Sequence, residues 1–324
     1  MTHAIVSLII VRCVTCEEGF RMNIMVAFND GYTLPTKVML KSLIINNTEE
    51  LHIYVLYTKL SSESIDSIKE LDDGNRVFIT MLQIDDHLLD GVPVMKHFSK
   101  EAYIRLFAHL ILDESIDRIL WLDGDMIING SLSYFYNLDF EDKIFIAEKD
   151  IEIGDSDEKK KSLGMPSDVD YINSGVLLIN LTEARKRLDD KVIRDFVREH
   201  KDAIQFVDQD VFNGCLYKEF KVVDTSHLYN FFSRYIFLDN KKYVYKNAHV
   251  IHYAGRNKPW KKGYTYGGFR IWWKYAFRSG PQYKMLFIRI LPSGIKGKMI
   301  HGTALFTKSK MPGVYDKLVK LIKE

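Results

Sequence analysis

The chain has 324 residues, of which 47% are hydrophobic and 27% are charged. This is the composition of an ordinary globular protein, and the length suffices for one large α/β domain or two modest ones with a sizeable core. Three cysteines support neither a disulfide framework nor a zinc site of two Cys pairs, and they favour a reducing, cytosolic compartment.

The net charge of +2 conceals an uneven distribution along the chain. From Arg256 onward there are 16 Lys and Arg residues but only two acids, Asp316 and Glu324. The rest of the chain holds the other 29 basic and 41 acidic residues, so the tail carries +14 against −12. A split of this kind predicts a polyanionic partner for the tail, either a membrane or a nucleic acid.

Residues 1–21 are set apart from the predicted fold. Their apolar run, "AIVSLIIV" at 4–11, is too short to span a bilayer and lacks the basic flank and cleavage site of a signal peptide. Because a good first strand begins at Met22, residues 1–21 are expected to be either an accessory extension or an incorrectly assigned start.

From residue 23 the pattern alternates between strand-like and helix-like segments. An apolar strand, "NIMVAF", ends in the turn sequence "NDGY", and the next helix carries Pro35 in its first turn. Strand, helix, strand, helix and strand in succession predict a parallel sheet with right-handed crossovers. The predicted elements are a strand at 23–28, a helix at 33–47, a strand at 51–57, a helix at 61–71 and a strand at 76–82.

The alternation continues through the middle of the chain. Residues 99–112 have helical periodicity, and a predicted strand in 118–128 runs out into two acids. Two later strands, 143–150 and 171–181, precede an amphipathic helix at 182–200. The glycine signatures of a dinucleotide-binding Rossmann site and of a P-loop are both absent from the sequence, so neither kind of site is predicted.

The sequence "RILWLDGDMII" places Asp123 and Asp125 one residue apart at the end of an apolar strand. Ligands bind outside the carboxyl ends of strands in α/β sheets, and alternate residues of an extended segment point to the same side. A turn at Gly124 would bring both carboxylates onto one Mg²⁺ or Mn²⁺ ion. Two alternatives stay open. One is a solvated Asp-Gly turn, and the other is a phosphohydrolase of the haloacid dehalogenase type, whose motif normally continues with Gly and Thr where this chain has Met126 and Ile127.

Five further motifs occur in a fixed order along the chain. They are "VAFNDGY" (26–32), "YIRL" (103–106), "YINSGVLLINL" (171–181), "VDQDVFNG" (207–214) and "VIHYAGRNKPW" (250–260). Together with the paired acids they resemble glycosyltransferase family 8, the retaining nucleotide-sugar transferases of GT-A fold, over residues 22–262. The resemblance implies an α/β fold with a mostly parallel central sheet flanked by helices. It also implies a catalytic domain at 22–262 and a basic, aromatic, helical C-terminal extension at 263–324.

The resemblance implies a metal site and a donor pocket. Asp123, Asp125 and His252 would bind Mn²⁺, with Mg²⁺ as the alternative ion. Gly255 would let the backbone approach the diphosphate of a UDP-sugar donor, and Lys258 would neutralise its charge. The other implied donor contacts are Ala27, Asn29 and Tyr32 for uridine, Arg105 for a phosphate or the sugar, Asp123 with Gly124 in the acid motif, and Asn173 and Ser174 for the sugar.

The sequence departs from the pattern of the relatives at three positions of these motifs. Some relatives have an acid where Asn29 stands and Asn where Gly31 stands, and many have Ala where Ser174 stands. The departures bear on how uracil is read, and they leave the expected place of the pocket unchanged.

The segment "DQD" is expected to carry the chemistry. By resemblance, Asp208 hydrogen-bonds the transferred sugar, Gln209 lies near its anomeric carbon, and Asp125 acts through the metal. Because an amide is a poor nucleophile, Gln209 argues against the covalent intermediate of many retaining enzymes. Front-face transfer is favoured, in which the acceptor attacks as UDP departs and the leaving phosphate takes the acceptor's proton.

The sequence therefore predicts a metal-dependent retaining hexosyltransferase that uses UDP-glucose or UDP-galactose. The expected acceptor is a cell-surface glycan, glycolipid or glycoprotein precursor, and the enzyme is expected in the cytoplasm or peripherally on the inner face of the cell membrane. The aromatic, basic residues 263–324 predict contact with an anionic membrane, a helical cap on the domain being the alternative, and no nucleic-acid partner is expected. The rival functions are a metal-dependent phosphohydrolase built on Asp123 and Asp125, and a non-catalytic carbohydrate- or membrane-binding protein.

Overall fold

The fold comes from a computed structural model that describes residues 21–92 and 100–291. The strands are β1 (Arg21–Ala27), β2 (Glu50–Tyr57), β3 (Val77–Gln83), β4 (Arg118–Leu122), β5 (Met126–Ile128), β6 (Phe145–Glu148), β7 (Val176–Asn180), β8 (Phe220–Val223), β9 (Phe231–Phe232) and β10 (Val250–His252). The α-helices are α1 (Thr33–Asn46), α2 (Ser62–Lys69), α3 (Ala108–Ile111), α4 (Ser133–Tyr136), α5 (Asp157–Ser162), α6 (Leu181–Arg187), α7 (Asp190–Glu199), α8 (Val207–Leu216), α9 (Lys241–Asn247), α10 (Phe269–Ala276) and α11 (Gln282–Ile290). Short 3₁₀ helices cover Asp30–Tyr32, Asp86–Leu89, Lys100–Phe107, Tyr217–Glu219 and Ser233–Tyr235.

Seven strands form one large sheet in the order β3-β2-β1-β4-β7-β6-β8. The pairs β1–β2, β2–β3, β1–β4 and β6–β8 are parallel, and β7 runs antiparallel to its neighbours β4 and β6. The predicted α/β fold with a mostly parallel central sheet is thus confirmed.

Both faces of the large sheet are buried. Along β4, Ile119 and Trp121 belong to one apolar cluster, and Leu120 and Leu122 belong to another. Alternate residues of a strand point to opposite faces, so the two clusters are cores on either side of the sheet. This double burial explains why β4 reads as a continuous apolar run.

The predicted strand at 118–128 is two strands in two sheets, and the prediction is corrected accordingly. β5 pairs antiparallel with β10 in a small sheet whose third strand is β9. The Asp123 N–H donates to the Gly175 carbonyl at 3.0 Å, and the Tyr253 N–H donates to the Asp125 carbonyl at 2.9 Å. The acids thus lie in the turn between the sheets, since unpaired carboxylates are costly to bury within a strand ladder.

Two helical predictions are also corrected. Residues 182–200 form two helices, because α6 ends at Arg187 and Asp189 caps α7 by accepting a hydrogen bond from the Lys191 N–H at 2.9 Å. The described part of 99–112 is the 3₁₀ helix Lys100–Phe107 followed by the single turn α3. A 3₁₀ run of eight residues is uncommon, and this one carries Arg105.

The described part of the C-terminal extension packs on the domain. Trp272 and Tyr275 of α10 are buried in an apolar cluster that also contains Val38 of α1. The Asn46 side-chain amide donates to the Tyr275 hydroxyl at 2.8 Å, which joins α1 to α10. Trp272, Trp273, Tyr275 and Tyr283 of this segment are therefore core residues.

Several predictions concern residues outside the described part of the chain. The extension or start at 1–21 is described only at residue 21, and the tail is described only as far as residue 291. The division at residue 262 stays a prediction. In the described ranges, no helix combines the length and the apolar character needed to traverse a bilayer.

Candidate active site

Polar side chains meet where several strands of the large sheet end. Asp123 directly follows β4, and Asp150 comes two residues after the end of β6. Asn173 precedes β7, whose antiparallel direction brings its start to the same edge. His252 ends β10 of the small sheet, which adjoins this edge through the Asp123–Asp125 turn. This is the edge at which α/β sheets bind ligands.

Asp123, Asp125 and His252 form a cluster that can hold a divalent cation. One ligand atom from each residue lies within 4.8 Å of the other two. His252 Nε2 lies 3.3 Å from Asp125 Oδ1 and 3.8 Å from Asp123 Oδ2. Two carboxylates and one imidazole are a donor set suited to Mn²⁺, and the carboxylates also suit Mg²⁺. The residues therefore fit the ion that the resemblance implies.

The turn of the acid motif is held from both sides. The Trp121 indole N–H donates to Asp123 Oδ1 at 2.9 Å and so orients one carboxylate. A Cβ on Gly124 would overlap the hydroxyl oxygen of Thr36 in α1 and lie 3.4 Å from its Cβ. Any other residue between the two acids would therefore force the Thr36 side chain to move, because the turn lies directly against α1.

Lys258 lies beside the cluster. Its ammonium forms an ion pair with Asp125 Oδ2, donates to the Tyr253 carbonyl at 2.8 Å, and is 4% exposed. Burial acts to raise the pKa of Asp125, but Lys258 and His252 outweigh it and hold that pKa well below its usual value. Asp125 is therefore ionised at physiological pH, as a metal ligand must be.

Arg105 joins the acid motif to the "DQD" segment. Its guanidinium lies 3.1 Å from Asp123 Oδ1 and 2.9 Å from Asp208 Oδ2, and it donates to the Ser174 carbonyl at 2.6 Å. It also stacks 4.2 Å above the Trp121 ring. Arg105 is 5% exposed, so this buried cation balances two acids of the site.

Asp208 is a buried acid with an altered pKa. Its Oδ2 accepts a hydrogen bond from the Ser174 hydroxyl at 3.0 Å. Burial raises its pKa and Arg105 lowers it, while the charge of Asp123 raises it again, for a net value of about 7.

Amide groups link Gln209 to the sugar-contact positions. Gln209 Oε1 accepts hydrogen bonds from Asn173 Nδ2 at 2.9 Å and from the Ser174 N–H at 3.3 Å. Asn173 Nδ2 and Gln209 Nε2 both donate to Asp150 Oδ2, at 2.8 and 3.2 Å. The structure therefore brings the predicted catalytic and sugar-binding side chains into one hydrogen-bonded group.

Two residues of this group were not predicted from the sequence. Asp150 has a signal that could have found it, because it follows an apolar strand just as Asp123 does. Asn230 Oδ1 lies 2.8 Å from His252 Nδ1, yet Asn230 stands in a loop whose sequence, "HLYNFF", has no feature of a site. Only the folded chain shows that it touches a candidate metal ligand.

Asp210, the second acid of "DQD", has a structural role. Asp210 is fully buried and accepts hydrogen bonds from Lys159 Nζ at 2.7 Å and from the Tyr171 hydroxyl at 2.6 Å. It also accepts from the N–H groups of Gln205 and Phe206, at 2.6 and 2.8 Å. These contacts anchor the entry to α8, which carries Asp208 and Gln209.

The residues predicted to contact uridine lie at the end of β1 and in the turn that follows it. Asn29 Oδ1 accepts from the Gly31 N–H at 3.1 Å, and Ala27 is the last residue of the strand. The Tyr32 ring lies 6.0 Å from Lys258 Nζ and 6.1 Å from the Trp260 ring. Tyr32 thus lies close to Lys258, which pairs with Asp125 of the candidate metal cluster.

The loop after β10 carries the predicted diphosphate contact. Gly255 has a φ of 87°, a left-handed conformation that glycine adopts without strain. The Arg234 guanidinium donates to the neighbouring Ala254 carbonyl at 2.9 Å, so the loop is held in this conformation.

Glu148, at the end of β6, is a buried acid that the metal cluster does not contact. It is 2% exposed, and its Oε1 accepts from the Thr225 hydroxyl and from the Tyr229 N–H at 3.4 Å. Its Oε2 has no hydrogen-bond partner among the described residues. Burial raises the pKa of Glu148 to about 8, so the folded protein keeps this carboxyl protonated at neutral pH.

We expect Glu148→Gln to remove a pH dependence of stability. The folded state binds the proton up to about pH 8 and the unfolded state only up to about 4.5, so folded protein holds more protons in this window. The free energy of unfolding of the wild type therefore falls as pH rises through it, by up to about 5 kcal/mol. Urea unfolding should show Glu148→Gln to be more stable than wild type at pH 8.5 and similar to it at pH 4.5.

The exposed substitution Glu158→Gln is the control, and it should follow the wild-type curve at every pH. Equal pH dependence in wild type and Glu148→Gln would show that Glu148 is ionised in the folded protein.

The fold and the site together define a class of protein. A mostly parallel α/β sheet has at its strand ends an Asp-Gly-Asp turn, a histidine and a buried lysine, which is the arrangement of a GT-A nucleotide-sugar transferase. Residues 23–263 match the family described as Glycosyl transferase family 8, and the chain therefore belongs to that family. It is an enzyme, a glycosyltransferase, as the motifs predicted.

Relatives of known activity include two lipopolysaccharide glycosyltransferases. The lipopolysaccharide 1,2-glucosyltransferase of Escherichia coli (strain K12) is 25% identical over 273 residues, which cover 80% of this chain and 78% of the relative. The lipopolysaccharide 1,3-galactosyltransferase of Salmonella typhimurium is 25% identical over 261 residues, which cover 79% and 77%. The crystal structure of the galactosyltransferase LgtC with donor and acceptor sugar analogues superposes with a TM-score of 0.71 at 25% identity, covering 86% of this chain and 100% of LgtC.

Proposed function

We propose that this enzyme transfers glucose or galactose from a UDP-sugar, with retention of configuration and in dependence on Mn²⁺ or Mg²⁺. The acceptor is a hydroxyl group of a cell-surface glycan, glycolipid or glycoprotein precursor. One lipopolysaccharide relative is a glucosyltransferase and another is a galactosyltransferase, in keeping with this proposal. The observation that carries the proposal is the Asp123, Asp125 and His252 cluster at the ligand-binding edge of the sheet.

The charges around the cluster support a diphosphate leaving group. A bound divalent cation would neutralise negative charge on the diphosphate oxygens. Lys258 and Arg105 are buried cations beside the two acids, so they would stabilise the charge that develops on UDP as it departs. Tyr32, close to Lys258, would stack on the uracil.

The hydrogen bonds of Gln209 support front-face transfer. Its Oε1 is engaged by two donors and belongs to an amide, so it is unsuited to attack the anomeric carbon. The acceptor oxygen would bond to the anomeric carbon on the face from which the bond to the phosphate oxygen breaks. The acceptor's proton would pass to that leaving oxygen, and Asp208 and Asn173 would hold the sugar hydroxyls during the transfer.

The phosphohydrolase alternative loses its support. Family membership and the likeness to LgtC both point to sugar transfer, and His252 joins the two acids as a candidate ligand. The full set of polar side chains at the site argues against a non-catalytic protein. Turnover of a UDP-sugar would distinguish a transferase from a binding protein.

The test is UDP release from a panel of UDP-sugars, with and without Mn²⁺. We expect slow release from UDP-glucose or UDP-galactose, abolished by a chelator and restored by added Mn²⁺. Nuclear magnetic resonance of the product formed with an added glycan acceptor should show the anomeric configuration of the donor. An enzyme that neither binds nor hydrolyses any UDP-sugar would contradict the proposal.

We also propose that the C-terminal extension contacts an anionic membrane surface. Its buried aromatic face packs on the domain, but Phe277, Met285 and Ile288 are exposed, at 43, 55 and 36%. Exposed cations of α10 and α11, among them Lys284 and Arg289, lie near these apolar side chains in sequence. Exposed apolar groups with basic neighbours suit the interface of an anionic bilayer.

We expect the double substitution Lys284→Glu and Arg289→Glu to weaken binding to vesicles that contain anionic lipid by about tenfold or more, because each basic residue near the surface contributes about 1 kcal/mol. Co-sedimentation with phosphatidylglycerol vesicles measures this. Lys191→Glu with Lys201→Glu, at exposed positions of α7 and the turn after it, is the matched control and should bind like wild type. Equal binding to neutral phosphatidylcholine vesicles would contradict an electrostatic contact.

A further inference from the structure

A buried amide connects the candidate metal cluster to the sugar-binding group. Asn230 is 3% exposed and lies between His252 and Asn173. Its Oδ1 lies 2.8 Å from His252 Nδ1, and its Nδ2 donates to Asn173 Oδ1 at 2.7 Å. The steps of the proposed reaction do not themselves involve Asn230.

The direction of each hydrogen bond in this series follows from the acceptors at its far end, Asp150 and Gln209. Asp150 is a carboxylate and Gln209 Oε1 is an acceptor, so the Asn173 group that faces both must be its NH₂. Asn173 Oδ1 then points the other way, where it accepts from the Gly175 N–H at 3.0 Å and from Asn230.

The same logic fixes the tautomer of His252. Because Asn230 uses its NH₂ toward Asn173, it presents its oxygen to His252 Nδ1, which must therefore carry a proton. The lone pair of neutral His252 is then on Nε2, the atom that faces Asp123 and Asp125. A metal-binding histidine needs this arrangement.

The loop that carries Asn230 is firmly held. Glu148 accepts hydrogen bonds from Thr225 and from the Tyr229 N–H, immediately before Asn230 in the chain. Two residues later, the Phe232 ring packs edge-on against the His252 ring at 5.4 Å. The amide of Asn230 is thus fixed in position by its backbone as well as by its two partners.

We propose that Asn230 is a positioning residue that couples metal binding at His252 to the orientation of Asn173 and Gln209. On one side it sets the tautomer and ring orientation of a metal ligand. On the other side it holds the Asn173 amide in the orientation that serves the sugar and the Gln209 side chain. The inference rests on the proposed function, because it concerns the metal and donor of that same reaction.

Two substitutions separate the two sides of Asn230. Asn230→Ala removes the acceptor for His252, and we expect Mn²⁺ affinity to fall about 10- to 100-fold, the usual cost of losing such a partner. Asn230→Asp keeps an acceptor for His252 Nδ1 but places a carboxylate against Asn173 Oδ1. The Asn173 amide must then turn away from Asp150 and Gln209, so Mn²⁺ affinity should stay within about threefold of wild type while kcat for UDP release falls by about tenfold or more.

The measurements are Mn²⁺ binding by isothermal titration calorimetry, without donor, and UDP release from the preferred UDP-sugar at saturating Mn²⁺. Asn47→Ala is the matched control, because Asn47 is 2% exposed and its side chain hydrogen-bonds to backbone groups of Leu43 and Leu132, away from the site. It should reduce thermal stability and leave Mn²⁺ affinity unchanged. This control separates loss of a buried amide in general from loss of the one beside His252.

The outcomes separate the inference from the function on which it rests. Wild-type Mn²⁺ affinity in folded Asn230→Ala would overturn the inference, as would an equal loss of Mn²⁺ affinity in Asn230→Asp and Asn230→Ala. If Asn230→Ala does not fold, Asn230→Asp alone decides, because its kcat must fall while its Mn²⁺ affinity holds. A wild-type protein that binds no Mn²⁺ and releases no UDP would instead overturn the proposed function, and the inference with it.

Discussion

Asp125→Ala is expected to lower the rate of UDP release from the preferred UDP-sugar by about 10³-fold or more, equivalent to roughly 4 kcal/mol of lost transition-state stabilisation. Asp125 is the acid nearest His252, and it is the one that Lys258 contacts. Its loss removes a proposed metal ligand and also leaves a buried ammonium without its carboxylate. UDP release at saturating Mn²⁺, together with Mn²⁺ binding by calorimetry, measures the effect.

Asp125→Asn distinguishes loss of the ligand from loss of the fold. The amide keeps the size of the side chain and an oxygen that can accept from Lys258, so thermal stability should fall less than in Asp125→Ala. Catalysis should be lost in both variants. Asp155→Ala, which removes a carboxylate with 89% side-chain exposure, should keep wild-type activity. Wild-type Mn²⁺ affinity in either Asp125 variant would refute the assignment of this residue to the metal.

Arg105→Met is expected to cause a large loss of stability. The buried guanidinium lies between Asp123 and Asp208 and also bonds to the Ser174 carbonyl, so its loss leaves two acids without their cation. Removing one partner of a buried ion pair typically costs about 3–5 kcal/mol. Urea unfolding measures the stability, and UDP release should fall as well because Asp208 is then protonated at neutral pH.

Pairing the substitutions tests whether the acids are the cause. Adding Asp208→Asn to Arg105→Met should restore part of the lost stability, because it removes a carboxyl that must take up a proton on folding once Arg105 is absent, while UDP release stays low. Arg198→Met, at a guanidinium with 69% side-chain exposure, is the control and should change stability by less than about 0.5 kcal/mol. Additive effects of the Arg105 and Asp208 substitutions would show that the two side chains do not interact.

These two predictions describe a site in which each buried cation contacts one or two acids. Lys258 faces Asp125, and Arg105 faces Asp123 and Asp208. In the proposed reaction the acids of the Asp123–Asp125 turn would receive a divalent cation, and the two buried cations would receive a diphosphate. A preorganised arrangement of this kind lowers the barrier because it needs little rearrangement as charge develops on the leaving group.

Much of the fold could be predicted from local pattern. The first three strands of the large sheet and the two helices between them are predicted because apolar runs and turn residues alternate there in the β-α-β order. The amphipathic period of residues 182–200 continues across residue 188 and therefore predicts a single helix. Its break depends on Asp189, whose side chain caps α7.

The sequence by itself determined the family, the first three strands of the large sheet and most of the residues that cluster at its edge. Five motifs in order identify the family, and Asp123 and Asp125 stand out because acids are unusual at the end of a buried strand. Tertiary structure alone decided which partners these side chains have. Arg105 contacts Asp208 across 103 positions of the chain, and Asn230 contacts His252 through a loop with no motif. Local pattern records burial and periodicity, whereas a hydrogen bond between distant residues exists only once the chain has brought both groups out of water and into reach of each other.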